Sequence, residues 1–227
     1  MSRVPKVAVL LAGCGHLDGA EVREAVLTLL SLDQHGAVFQ CIAPNAEQYH
    51  VINHVTGQVA EGQTRNILEE ASRISRVGQC LDISITKPED FDALIIPGGF
   101  GVAKNHCTFA FDGSGASVRQ DVATFIKAFF DAKKPVGAIC ISPALVALIL
   151  ADIGMQGRLT LGSGQGVSTA IGDLRQEHIE VQSAREVIID NELKLVTTPA
   201  YMFDGARLAD VFVGIDRCVA EILGLAQ

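Results

Sequence analysis

The sequence predicts an α/β fold built on a mostly parallel sheet with helices on both faces. Three observations carry this. Short apolar runs rich in Val, Ile and Leu alternate along the chain with helical spacings, as in successive βαβ units. The runs are apolar throughout and lack the every-second-residue polarity of a half-solvated strand, so both of their faces are buried. Of the 227 residues, 48% are hydrophobic, which is enough to cover a sheet on two sides. The length predicts one domain over residues 1–227.

Each element follows from its own pattern. Lys6–Leu11 reads as the first buried strand, and a glycine-rich loop, Gly13 to Gly19, follows it. Glu21–Gln34 has helical spacing, with Val22, Ala25, Val26, Leu29 and Leu30 read as one apolar side and Gly36 as its C-terminal stop. Val38–Ala43 is a second strand. Pro44–Gln63 is polar and reads as an elaborated loop with a small hairpin. Asn66–Ile74 reads as a helix with Thr64 as its N-cap. Phe91–Ile96 is a strand ending in Pro97-Gly98-Gly99-Phe100-Gly101, and Ser117–Ala132 is a helix. Val136–Ile139 is a central strand running into Cys140, and Pro143 suits the first turn of the helix Pro143–Leu150. Leu159–Leu161 is a further strand candidate. Val187–Ile189 and Lys194–Thr197 flank a hairpin turn at Asp190-Asn191-Glu192, and Arg207–Leu223 is the closing helix.

Bulk properties exclude several classes. A net charge of −8 repels phosphate backbones, so nucleic acid is not an expected partner. No apolar stretch approaches the about 20 residues of a membrane helix. Leu11-Ala12-Gly13-Cys14 has the look of a lipoprotein cleavage box, yet the apolar run before it, Val7 to Leu11, is shorter than the roughly 7–15 residues a signal peptide uses. The six cysteines (Cys14, Cys41, Cys80, Cys107, Cys140 and Cys218) contain no C-x-x-C pair, which argues against zinc. Free cysteines in a chain that needs no disulfide staples predict a reducing, cytoplasmic setting. Neither a metal nor a cofactor is expected. Gly13-Cys14-Gly15-His16-Leu17-Asp18 misses the dinucleotide fingerprint at Asp18, and no Walker-type loop is present.

In a parallel α/β fold, ligands sit at the carboxyl ends of the strands, which singles out three loops. After Ile139 the chain turns from strand to helix at Cys140, with small neighbours Ala138 and Ala144. This is the logic of a nucleophile elbow with sulfur in place of oxygen. A thiol there would have its pKa lowered by the helix N-terminus, and the Ile141 N–H would face a developing oxyanion. The octapeptide alone is equally compatible with a buried cysteine acting as a small apolar residue. In the second loop, consecutive glycines at 98 and 99 supply N–H donors for the same crevice, or form a plain turn. In the third, Glu21 opens a helix. It is either an ordinary first-turn acid or a carboxyl beside the thiol whose pKa is raised by the like charge.

Longer motifs add to this. Gly13-Cys14-Gly15, Asp18-Gly19-Ala20-Glu21-Val22, Glu24-Ala25-Val26-Leu27-Thr28-Leu29-Leu30, Val51-Ile52-Asn53-His54, Thr64-Arg65-Asn66, Pro97-Gly98-Gly99-Phe100-Gly101, Ala103-Lys104-Asn105, Cys140-Ile141-Ser142-Pro143-Ala144 and Thr197-Thr198-Pro199-Ala200-Tyr201-Met202 occur in this order. Across nearly the whole chain they resemble the ElbB family (enhancing lycopene biosynthesis, or isoprenoid biosynthesis, proteins) of the ThiJ/PfpI superfamily. The resemblance implies a flavodoxin-like three-layer α/β/α sandwich of the class I glutamine amidotransferase-like type and a dimer-prone surface. It also implies a glyoxalase activity that needs neither glutathione nor metal and turns glyoxal into glycolate. By the same resemblance Cys140 is the nucleophile, Glu21 its acidic partner, and Gly99 and Ile141 the oxyanion-hole backbone positions.

The chain departs from more distant relatives in its histidines. The His-x-Glu of glutamine amidotransferases is absent, since the last histidine is His178, and Ile141 stands where PfpI-type proteins carry a histidine. Amidotransferase and protease activities are therefore not expected; His16 and His106 lie in the right loops, either as substitutes or as polar rim residues. Three functions stay open at this level. The first is a Cys140 aldehyde enzyme acting on glyoxal or methylglyoxal, including deglycation. The second is a non-enzymatic redox sensor in which Cys14 or Cys107 resolves an oxidised Cys140. The third is an accessory role in isoprenoid metabolism.

Overall fold

The computed structural model describes residues 4–227. Strand β1 (Lys6–Leu10) leads into helix α1 (Val22–Gln34) and strand β2 (Val38–Ala43). A hairpin, β3 (Ile52–Asn53) and β4 (Gln58–Val59), precedes α2 (Ile67–Ser75) and β5 (Cys80–Asp82). Strand β6 (Ala93–Ile96) is followed by a π-helical turn at Val102–His106, a single turn α3 (Phe109–Asp112) and α4 (Gln120–Asp131). Strand β7 (Val136–Ile139) runs into α5 (Ser142–Asp152). Next come β8 (Arg158–Leu159), α6 (Gln165–Asp173) and β9 (Glu177–His178). Strands β10 (Ile188–Asp190) and β11 (Leu195–Thr198) form a hairpin before α7 (Leu208–Leu225).

The main sheet has the order β10-β11-β7-β6-β1-β2-β5. Every pairing in it is parallel except β10 with β11. The two cores show why the strands are apolar throughout. Ala8 and Leu10 of β1 pack with Phe125, Ile126 and Phe129 of α4 on one side. Val7 and Val9 pack with Ala25 and Leu32 of α1 and Ile215 of α7 on the other. Helices therefore close both faces, giving the flavodoxin-like three-layer sandwich. Helix α5 is buried from Ser142 to Leu150, so its run of apolar residues is core. Among the described residues no helix is long and apolar enough to cross a membrane.

Four details differ from the sequence expectation. Asn66, not Thr64, caps α2, its side chain accepting from the N–H groups of Leu68 and Glu69. Strand β5 and helix α6 were not expected: one has three residues, and the other carries two glycines and no run of large apolar side chains. The strand expected near Leu159 is β8, which pairs with β9 in a separate two-stranded ladder. Most consequential is α1. Its buried face is Glu24, Ala25, Thr28, Ser31 and Leu32, whereas Val22, Val26 and Leu30 are 39%, 47% and 43% exposed. The helix carries apolar residues on two sides, so counting them does not tell which side packs. A polar bond does: the Ser31 hydroxyl donates to Asp216 of α7, while the Thr28 hydroxyl bonds back to the Glu24 carbonyl within the helix.

The strand ends are bound together by Asn105. Its side-chain amide donates to the carbonyls of Ala12 and Asp18, both at 2.9 Å, and its oxygen accepts from the Tyr49 N–H. One buried side chain thus fixes the loops that follow β1, β2 and β6. The neighbouring His106 is fully buried, and neither ring nitrogen has a hydrogen-bond partner of normal geometry. Burial pushes its pKa down to about 4. A depressed folded-state pKa makes the unfolded chain bind the extra proton as pH falls below 6.5, so this contribution to stability is lost between about 6.5 and about 4. Replacing His106 by Leu is expected to flatten the fall in Tm over that window. Scanning fluorimetry from pH 7 to pH 4 checks this, and a parallel offset between variant and wild type would refute it.

Candidate active site

Cys140 follows β7 directly and adopts φ 61°, a left-handed conformation that costs energy in a residue with a side chain. Neighbouring bonds hold it there. Its N–H donates to the Thr198 carbonyl at 2.9 Å, and the Ser142 hydroxyl donates to the Pro97 carbonyl at 2.8 Å. Pro143 occupies the first turn of α5, where a missing N–H leaves no donor unpaired. The elbow predicted from the octapeptide is present.

The glycine loop after β6 closes on this cysteine. A Cβ at Gly98 would lie 2.5 Å from the Cys140 Cβ and 2.6 Å from Glu24 Oε2, so only glycine fits. Gly99 has φ +102°, and a Cβ there would meet the Glu21 nitrogen at 2.3 Å. In this conformation the Gly99 and Ile141 N–H groups are both close enough to the Cys140 sulfur to favour its charged form. Both predicted oxyanion positions thus meet at the sulfur.

The carboxyl against the thiol belongs to Glu24, one turn beyond the residue expected from sequence. Glu24 is fully buried beside the Cys140 side chain, and the two groups perturb each other's titration. Its Oε2 accepts from the Gly98 N–H at 3.0 Å and its Oε1 from the Tyr201 N–H at 3.2 Å. Glu21 also lines the cavity above Cys140, but its oxygens are committed elsewhere. One caps α1 by accepting from the Glu24 N–H at 2.7 Å, and the other accepts from Arg23 Nε at 3.0 Å. Glu21 is therefore the helix cap and a charge beside Glu24. The signal for Glu24 is positional: it stands three residues after the cap, on the face shared with Ala25 and Thr28.

Electrostatics follow from burial. Removal from water, then the charge of Glu21, pushes the Glu24 pKa up to about 8. Burial, then Glu24, pushes the Cys140 thiol well above its ordinary value, against the opposing pull of the Gly99 and Ile141 N–H groups. The lowering expected from the helix N-terminus is therefore outweighed. Two acids in contact inside a dry site cannot both ionise, so near neutral pH the pair retains a proton. With that proton on Glu24 the like charge is gone, and a neutral carboxyl donates toward sulfur.

Cys140 is 7% exposed at the floor of a cavity of about 320 Å³. Of the candidate histidines, His16 lines this cavity and His106 does not. Neither Cys14 nor Cys107 lines it, and burial pushes the Cys107 thiol up to about 11. Among the described residues no group of His, Cys, Asp and Glu side chains is arranged to hold a metal ion.

The DJ-1/PfpI family model matches residues 16–204, a stretch that contains Glu24, the glycine loop and the elbow. The chain belongs to the DJ-1/PfpI family. Within it, the chain is 40% identical to the human glutamine amidotransferase-like class 1 domain-containing protein 3, mitochondrial, over 97% of its own length and 83% of that protein. It is 37% identical to the rat ES1 protein homolog, mitochondrial, covering 97% and 84%. Among solved structures, an isoprenoid biosynthesis protein with amidotransferase-like domain from Ehrlichia chaffeensis superposes with a TM-score of 0.88 at 38% identity, covering 96% of this chain and 99% of that one. The resemblance to isoprenoid biosynthesis proteins is therefore upheld. Glyoxalase III from Candida albicans shares the fold, with a TM-score of 0.61 at 13% identity over 97% of both chains. The cytoplasmic setting is corrected: the human, rat and zebrafish relatives are all named mitochondrial. Free cysteines report a reducing environment and do not say which compartment supplies it.

The geometry separates the two glutamates. Glu24→Gln is expected to change the pH dependence of Cys140 alkylation, because it removes the group that shares the proton with sulfur. Glu21→Gln moves that profile less and weakens the cap of α1, a loss of about 1 kcal/mol. Iodoacetamide labelling rates across pH 6–10, read by mass spectrometry, check both; equal profiles for Glu24→Gln and wild type would refute the pairing.

Proposed function

We propose that this DJ-1/PfpI protein converts 2-oxoaldehydes into 2-hydroxy acids, using Cys140 and Glu24 without glutathione or metal. The observation that carries this reading is the contact between a buried thiol and a buried carboxyl beneath two backbone N–H donors. The chemistry needs these groups in order. The Cys140 sulfur adds to the aldehyde carbon, and the nascent alkoxide takes the Glu24 proton, giving a hemithioacetal. The Glu24 carboxylate then removes the hydrogen from that carbon and returns it to the adjacent carbon while the hydroxyl proton passes from the first oxygen to the second, so the first carbon becomes a thioester and the second an alcohol. Water hydrolyses the thioester, releases the hydroxy acid and restores the thiol. For glyoxal the sum is glyoxal plus water giving glycolate, with no external oxidant or reductant. The Gly99 and Ile141 N–H groups stabilise negative charge on sulfur before addition and are close to where oxygen charge develops afterwards. Protein or nucleotide deglycation starts with the same addition.

The redox-sensor alternative has less support. The Cys140 sulfur is nearly buried and raised in pKa, which slows oxidation, and among the described residues no second cysteine lines the cavity.

We also propose that the chain associates with a second copy through α1. The exposed stripe of Val22, Val26 and Leu30 recurs every fourth residue on the helix that carries Glu24, and apolar stripes of this kind favour burial against a like surface.

Cys140→Ser and Glu24→Gln are each expected to lower kcat/KM for glyoxal by roughly 10²–10⁴-fold. Wild-type activity is expected to fall above about pH 8 as Glu24 loses its proton. Glu21→Gln moves that limb to lower pH, because the negative charge that helps hold the proton is gone. Steady-state rates of glycolate formation from pH 5.5 to 9.5 test these statements, and full activity in Cys140→Ser would end the mechanism. Val26→Glu is expected to shift the protein from dimer to monomer in light scattering coupled to gel filtration; a monomeric wild type rejects the self-association.

A further inference from the structure

The cavity above Cys140 is far larger than the smallest aldehyde. Its volume is about 320 Å³, roughly ten times the ~30 Å³ that one water takes up in the liquid. Glyoxal, with two carbons and two oxygens, leaves most of it to solvent. Besides Cys140 and Gly99, the lining is Phe100, Ile141, Tyr201 and Met202 on one hand and the polar His16, Glu21, Arg23 and Asp204 on the other. Phe100, Ile141, Tyr201 and Met202 make an apolar and aromatic wall, and the half-exposed Phe100 ring has the Lys104 ammonium 5.4 Å from its centre. The charged groups at the rim are partly spent on each other: the Arg23 guanidinium lies 4.3 Å from the centre of the Tyr201 ring and bonds Glu21.

The walls are fixed relative to the reacting groups. The Tyr201 N–H donates to Glu24 Oε1 at 3.2 Å, and the Phe100 N–H donates to the His16 carbonyl at 2.8 Å. Ile141 follows Cys140 directly and supplies one of the two sulfur donors. A substituent held between Phe100, Tyr201 and Met202 therefore sets the aldehyde carbon over the sulfur, and binding energy from that remote group lowers the barrier at the reacting centre.

We infer that the preferred substrates are 2-oxoaldehydes with a bulky apolar or aromatic substituent on the keto carbon, of which phenylglyoxal is the simplest aryl case. This rests on the aldehyde reading above and names its substrate class. The balance is unchanged: sulfur adds to the aldehyde carbon, its hydrogen moves to the keto carbon, and hydrolysis yields the aryl hydroxy acid, mandelate.

The test compares initial rates for glyoxal, methylglyoxal and phenylglyoxal with wild-type protein and Phe100→Ala. The expected kcat/KM for phenylglyoxal exceeds that for glyoxal by at least about tenfold, with methylglyoxal between them. Phe100→Ala is expected to reduce the phenylglyoxal-to-glyoxal ratio by about fivefold or more, with a thermal melt confirming that the variant is folded. Turnover of glyoxal with no gain for phenylglyoxal, or an unchanged ratio in Phe100→Ala, overturns the substrate class and leaves the thiol chemistry standing. No turnover of any of the three overturns both.

Discussion

A carboxyl and a thiol pressed together away from water hold a proton between them, and the strand-end loops are arranged around that fact. Glu24 cannot ionise cheaply, because no solvent reaches it and Glu21 is close by. It is kept in place by two N–H donors from segments far apart in the chain, Gly98 and Tyr201. The Cys140 sulfur is matched in the same way by Gly99 and Ile141. The left-handed backbone at Cys140, the glycine at 98 and the cap at Glu21 are the local conditions that let these four segments meet. The sheet order brings them to one edge, since β6 and β7 are neighbours and β1 and β11 flank them.

This arrangement changes how the site's polarity should be understood. A helix N-terminus alone would favour a thiolate. Here desolvation and a neighbouring acid act the other way, and they are the larger influences on sulfur. In the proposed mechanism, activation therefore depends on how protons are shared between the pair rather than on a free low-pKa thiol. The same reasoning separates the roles of the two acids on α1. Glu21 faces the cavity with its oxygens already bonded, while Glu24 faces sulfur.

Much of the fold was legible in the residues because burial on both faces leaves little choice. Strands such as Ala93–Ile96 and Val136–Ile139 are apolar at every position, and the elbow is announced by Cys140 with Pro143 three residues on. What resisted prediction had weak or divided signals. Helix α1 carries two apolar sides, so the side its spacing predicts mixes buried Ala25 with the exposed Val22, Val26 and Leu30, and gives no sign of the buried acid. Edge strand β5 is only three residues long and polar at its end. The Glu24 contacts join residues 74 and 177 positions apart, and nothing local encodes a separation of that kind. The positions of Gly99 and Ile141 were easier, because a donor supplied by the main chain is fixed once the turn is fixed.

That last point has a consequence for how such a site diversifies. Both groups that contact the sulfur from the loops are peptide N–H groups, and so are both that anchor Glu24. The polar machinery thus consists of two side chains and four pieces of backbone. In the proposed mechanism, side chains at 100, 141, 201 and 202 carry none of the proton transfers, which leaves them free to drift in size and polarity during divergence while the reactive centre stays put. A lineage built this way explores new substrates by repainting the walls of one room, and loses its chemistry only if the turns themselves are redrawn.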